Sequence, residues 1–159
     1  ILGEQGVSCD KDLYQKGIQY TGKGDMQKGY EILKTCFQER PDPVHALYLK
    51  GLRCYQNKDY AGAVLELKKV LKDQPGYPDI CNLLGVAYCG QKSYAEAEDA
   101  FQRAIKLNSR YIEPRLNLAF LYEILQKVEE AEGVLQEVLS MDPGNVIAIE
   151  GLEGLKKNG

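Results

Sequence analysis

Long apolar runs are missing from this 159-residue chain. Its uninterrupted apolar stretches span only a few residues, far short of the roughly 20 a helical bilayer crossing needs, so direct membrane insertion is not expected. No secretory pattern precedes the periodic part, and the first residue is Ile1 rather than Met, which reads as a segment cut from a longer protein or a processed product. Histidine is reduced to one residue, His45, with no evident partner for acid–base or metal chemistry. C-x-x-C pairs are absent. The five cysteines, Cys9, Cys36, Cys54, Cys81 and Cys89, are odd in number, which argues against a disulfide framework and for a reducing, cytoplasmic setting. They read as small core residues, not as a zinc or redox site. A phosphate loop is lacking too: in GKGDMQKGY, Gly24 and Gly29 have its spacing, but Tyr30 and Glu31 stand where Lys and Ser or Thr are required. The sequence thus offers no catalytic residue, cofactor or metal, and the chain is read as not an enzyme.

Charge of one sign is not in large excess either. A net charge of −3 opposes general nucleic-acid binding, and the lysines that make the second quarter basic, among them Lys68, Lys69 and Lys72, fall on one helix whose exposed face is expected to be charged. With 44% hydrophobic and 27% charged residues, the composition is that of a folded soluble chain.

What the chain does have is a period. In NLLGVAYCGQKSYAEAEDAFQRAIKLN, Leu84, Gly85 and Tyr88 share one helical stripe and Ala97, Phe101 and Ala104 another, with a polar break between them. Ser93 followed three residues later by Glu96 predicts a capping box for the second helix. Steps of 34 residues find the same marks: Gly85 aligns with Gly51 and Gly17, Ala97 with Ala63 and Ala131, and Phe101 with Leu67, Leu33 and Leu135. Prolines close units at Pro41, Pro75 and Pro143. Four ungapped copies result, at 10–43, 44–77, 78–111 and 112–145, after a lead-in at 1–9 and before a helix at 146–159. In that last helix Ile149, Leu152 and Leu155 are expected to cover the open end.

A helix–turn–helix unit of this length with L-G, Y, A, F, A and P so placed closely resembles the tetratricopeptide repeat family. The departures are Leu13, Leu47, Cys81 and Arg115 at the fourth position, where the family has Trp, and Ala119 in place of the small Gly of the fourth copy. The resemblance implies an all-α, right-handed α-solenoid of four hairpins whose first helices line a concave groove. It implies a non-catalytic adaptor or scaffold that binds a peptide or helix of a partner protein there. Alternatives from the same sequence are a homo-oligomerisation platform and a regulatory segment of a larger enzyme.

Carried over copy by copy, the family's groove positions are Tyr14, Tyr48, Asn82 and Leu116 (fifth), Ile18, Leu52, Val86 and Phe120 (ninth), and Thr21, Tyr55, Cys89 and Glu123 (twelfth). An apolar line at the ninth position, flanked by Tyr14, Tyr48 and Tyr55, suggests an apolar floor for a ligand's hydrophobic anchors. The second positions, Lys11, His45, Asp79 and Glu113, change sign along the array, and the fourth copy holds seven acidic residues against two basic ones. The cationic clamp by which some family members hold the C-terminal carboxylates of heat-shock chaperones is not matched. Its positions hold Tyr14, Ile18, Leu49, Asp79 and Leu83, or Tyr48, Leu52, Leu83, Glu113 and Asn117.

Overall fold

A computed structural model describes residues 11–37 and 43–158. Among them lie nine α-helices and no strand: α1 (Lys11–Gly22), α2 (Met26–Phe37), α3 (Pro43–Gln56), α4 (Tyr60–Asp73), α5 (Pro78–Gly90), α6 (Tyr94–Leu107), α7 (Glu113–Ile124), α8 (Val128–Met141) and α9 (Val146–Asn158). Consecutive helices pair as hairpins, and each second helix packs on the first helix of the next unit, which makes the array an all-α solenoid. The lead-in, Cys9, Pro41 and the side chains of Lys11, Cys36 and His45 lie outside the described residues.

The exact period has a backbone cause. At the turn inside each hairpin one residue takes a left-handed conformation: Gly24 at φ 83°, Lys58 and Lys92 at 61°, Gln126 at 59°. The next backbone N–H then reaches back to a carbonyl five residues earlier. Asp25 donates to Tyr20, Asp59 to Cys54, Ser93 to Tyr88 and Lys127 to Tyr122, all at 2.8–2.9 Å. This closure satisfies helix-end carbonyls and fixes turn length, so it tolerates no insertion.

The second helices start differently from one another. Asp59 accepts the Gly62 N–H at 2.9 Å and Asp25 the Lys28 N–H at 3.1 Å, as N-caps should. Ser93 occupies the same place but makes no side-chain cap bond, so the expected Ser93–Glu96 box does not form. Asp59 and Ser93 share nearly the same backbone angles, φ −82° and ψ 72° against φ −83° and ψ 71°, so the shorter hydroxyl falls short where the carboxylate reaches.

Small residues set the distance within each hairpin. A Cβ built on Gly17 would lie 2.7 Å from Leu33, on Gly51 2.8 Å from Leu67, and on Gly85 2.5 Å from Phe101. Leu33, Leu67 and Phe101 are fully buried as a result, each stabilising the fold by roughly 1.5–3 kcal/mol. In the fourth hairpin Ala119 and Leu135 join one cluster with Val138 and Ala148. Arg115, standing where the family has Trp, is 8% exposed and donates from Nη1 to the Tyr111 carbonyl at 3.0 Å and from Nε to Glu137 at 3.4 Å. Of the stripe expected in α9, Leu152 and Leu155 pack on the last hairpin, whereas Ile149 points outward and the buried place is taken by Ala148.

Candidate functional site

The first hairpin closes onto the groove that α3, α5 and α7 line. α1 packs against α5 and α7 as well as against its own partner α2. Tyr14 donates its hydroxyl to the Asp79 carboxylate, which sits in the first turn of α5. Ile18 is buried in one cluster with Tyr48, Leu52 and Leu83. At the end of α1, a Cβ on Gly22 would lie 2.7 Å from the Glu113 side chain.

This closure divides the expected site residues. Ile18, Tyr48, Leu52 and Asn82 are buried, with Leu52 at 0% exposure, and they present no surface to a ligand. The expected apolar floor is therefore interior over half its length, because α1 fills the groove at that end. Asn82 accepts a 2.9 Å hydrogen bond from Asn117, which ties α5 to α7. Tyr14 is half-buried and held by Asp79. Tyr55 stacks obliquely on Tyr60, ring centroids 5.3 Å apart. Thr21 is buried and donates to the Ile18 carbonyl at 2.8 Å.

The open half of the groove brings together Tyr55, Val86, Cys89 and Phe120. They line a cavity of about 540 Å³ with Met26 and Ile124, walled by the Gly22–Gly24 turn. Phe120 is 63% exposed and forms a ridge. On its other side a second hollow, about 650 Å³, is lined by Leu116, Val146 and Ile147 and by Gln15, Gln19 and Glu113. Glu123 borders neither hollow, and burial pushes its carboxyl up. Met26, Ile124, Val146 and Ile147 were not predicted. Met26 and Ile124 fall outside the groove positions of the repeat, and Val146 and Ile147 begin a helix outside the repeats.

Electrostatics concentrate under α1. Asp79 is faced by the hydroxyls of Tyr14 from α1, Tyr48 from α3 and Tyr111 from the α6–α7 turn, and by Glu113 from α7. Burial pushes the Asp79 and Glu113 carboxyls above the usual carboxylate range, and Lys23 offsets part of the effect at Glu113. The same desolvation raises Tyr14, Tyr48 and Tyr111 far above an ordinary phenol. Tyr111 is 8% exposed, and its hydroxyl faces Asp79. Burial likewise raises the thiols of Cys54 and Cys81 and lifts Cys89 to about 11. Among the described residues no group of His, Cys, Asp and Glu is placed to hold a metal ion. In the basic second copy, Lys50 and Lys69 bond the same oxygen of Glu66 at 2.9 and 3.1 Å.

Family models described as tetratricopeptide repeat match residues 78–111 and 112–145. Solved tetratricopeptide structures superpose on most of the chain. The first such domain of Spaghetti (RPAP3), bound to the HSP90 peptide SRMEEVD, covers 72% of this chain and 91% of that one, with a TM-score of 0.68 and 26% identity. The chain belongs to the tetratricopeptide repeat family. Heat shock protein STI1 of Saccharomyces cerevisiae is 26% identical over 153 residues, 96% of this chain. Protein PHOX1 of Arabidopsis thaliana is 33% identical over 120 residues, 70% of this chain. The chain spans only 25% of the first and 16% of the second. Tetratricopeptide repeat domains generally mediate protein–protein interaction and are typically non-catalytic, and no described helix here is long and apolar enough to cross a membrane.

Proposed function

We propose that this tetratricopeptide repeat array is an adaptor that binds an apolar segment of another protein in the open half of its groove. The observation that carries the reading is Phe120, a large aromatic ring 63% exposed between two hollows, one walled mainly by aliphatic and aromatic side chains and the other combining Leu116, Val146 and Ile147 with polar and charged ones. A ring held on a helix offers a ligand large apolar area at little entropic cost. An apolar anchor on each side of the ridge would remove it from water. The groove bears Asp79 and Glu113 where a chaperone carboxylate clamp would need cations, so a C-terminal carboxylate is not the feature recognised.

The test is a displayed library of random peptides selected on the full chain, with binders ranked by fluorescence polarisation. Apolar peptides that lose binding in Phe120→Asn, while helicity is unchanged, support the reading. Peptides indifferent to that change refute it.

A second reading, self-association, is favoured by α9, where Val146 is 62% and Ile147 47% exposed at the end of the array. Sedimentation equilibrium separates the two. A dimer that disappears with Val146→Asn and Ile147→Asn but persists with Phe120→Asn places self-assembly at the array end.

A further inference from the structure

The fourth position of the repeat, where the family has Trp, holds its smallest residue in the third copy, Cys81. The second copy fills the equivalent place with Leu47, packed against the core, and the fourth with Arg115, whose Nε reaches Glu137 on α8 at 3.4 Å. Cys81 is too short to do either. It lies at the floor of a hollow of about 370 Å³ between α4 and α6, beside Leu71, Leu84 and Ala100. This hollow shares no lining residue with those of the groove. Consecutive helices run in opposite directions, so its rim has two ends. Lys72 and Arg103 stand at the Cys81 end, and Glu96 stands with Tyr88 at the other. Arg103 holds the place in α6 that Glu137 holds in α8, one period of 34 residues later. The third copy thus keeps one half of the Arg115–Glu137 arrangement with its sign reversed, and Cys81 offers that half no carboxylate. The Arg103 guanidinium donates to the Pro75 carbonyl at 3.0 Å, which uses one of its five N–H groups.

We propose that this hollow is a docking site separate from the groove, taking a partner segment that lays a large apolar side chain over Cys81 and sets a Glu or Asp against Arg103 and Lys72. The segment supplies from outside what the fourth copy supplies from within: bulk over the fourth position and the opposite charge for the residue facing it. Burial of the apolar side chain carries the affinity. The cations are exposed and individually worth little, so the carboxylate chiefly fixes register. Glu96 at the far end disfavours the reverse orientation, in which the partner's acid would face it.

The test is a displayed library of random peptides selected on the full chain carrying Phe120→Asn, which sets the groove aside and keeps this proposal separable from that one. The selected peptides should pair an acid with Phe, Leu or Ile. Their affinity, read by fluorescence polarisation, should fall roughly ten-fold or more in Arg103→Glu, and exchanging the peptide's acid for Lys should restore it. Cys81→Trp, which puts the family's own residue into the hollow, should keep helicity and abolish binding. Arg103→Glu changes an exposed side chain, so the charge test stands even where the indole does not fit. A selection without binders, peptides with no preference for an acid, or affinities that Arg103→Glu leaves unchanged overturn the proposal. Self-association of the chain that Cys81→Trp abolishes would put a second copy in the hollow and overturn it as well.

Discussion

Gly85 on α5 faces Phe101 on α6 so closely that a Cβ on the glycine would lie 2.5 Å from the ring. The contact sets how near the two helices of the third hairpin can come, and Gly51 and Leu67 repeat it one unit earlier. Gly85→Leu or Gly51→Leu must push its hairpin apart, and overpacking of this kind costs about 1–3 kcal/mol. The thermal midpoint of either variant should fall by several degrees; an unchanged midpoint would contradict the closeness of the contact.

The turns offer the opposite change. Lys92 holds φ 61° at the position where the first hairpin has Gly24. A left-handed residue with a Cβ costs roughly 1–2 kcal/mol, which glycine avoids, although glycine returns part of that as chain entropy in the unfolded state. Lys92→Gly should therefore leave stability unchanged or raise it by up to about 1 kcal/mol, as urea denaturation would show. A loss of comparable size would mean the lysine side chain contributes more than its backbone costs.

The hairpin contacts were legible because they recur: the Gly–Leu or Gly–Phe pair and the turn position return every 34 residues, and a period is visible without coordinates. The groove was not, because which face of α1 is free depends on how the first hairpin is set against the third and fourth. Tyr14 and Ile18 look like groove residues by position, but Tyr14 is held by Asp79 and Ile18 is buried in a cluster with Tyr48 and Leu52. Arg115 was legible only as an oddity; its partners, the Tyr111 carbonyl and Glu137, come from a turn and from the neighbouring helix.

Leu52 and Phe120 hold equivalent positions two copies apart and should respond oppositely to the same change. Leu52 is fully buried, so Leu52→Asn loses its transfer energy and buries an amide, and about 2–5 kcal/mol of stability should go. Phe120 is mostly exposed, and Phe120→Asn should stay within about 0.5 kcal/mol. Equal losses in a chemical denaturation series would show that the ridge is core.

Cys89 lines the open cavity with its thiol lifted to about 11 by burial, so little thiolate exists at neutral pH. Alkylation followed by mass spectrometry should find it slower than a free thiol, accelerating as pH rises toward that value. A peptide selected on the groove should slow it further. Fast modification at neutral pH would mean that the cavity is wetter than its walls indicate.

Acidity should act in opposite senses on two carboxylate groups. Glu66 is held below the usual range by its hydrogen bonds to Lys50 and Lys69, so its contribution is present above the unfolded value and lost as pH falls through the folded one. Asp79 and Glu113 are raised by burial, so theirs is fully present below the unfolded value and is lost as pH rises through the folded one. At neutral pH the two charged groups weigh against the closed first hairpin. Asp79→Asn keeps an acceptor for Tyr14 and removes the charge. It should raise the midpoint by a few degrees at neutral pH, and the gap should narrow as the solution is acidified through the carboxylate range. A gap that stays constant with pH would show that the charge on Asp79 does not oppose the closure of α1.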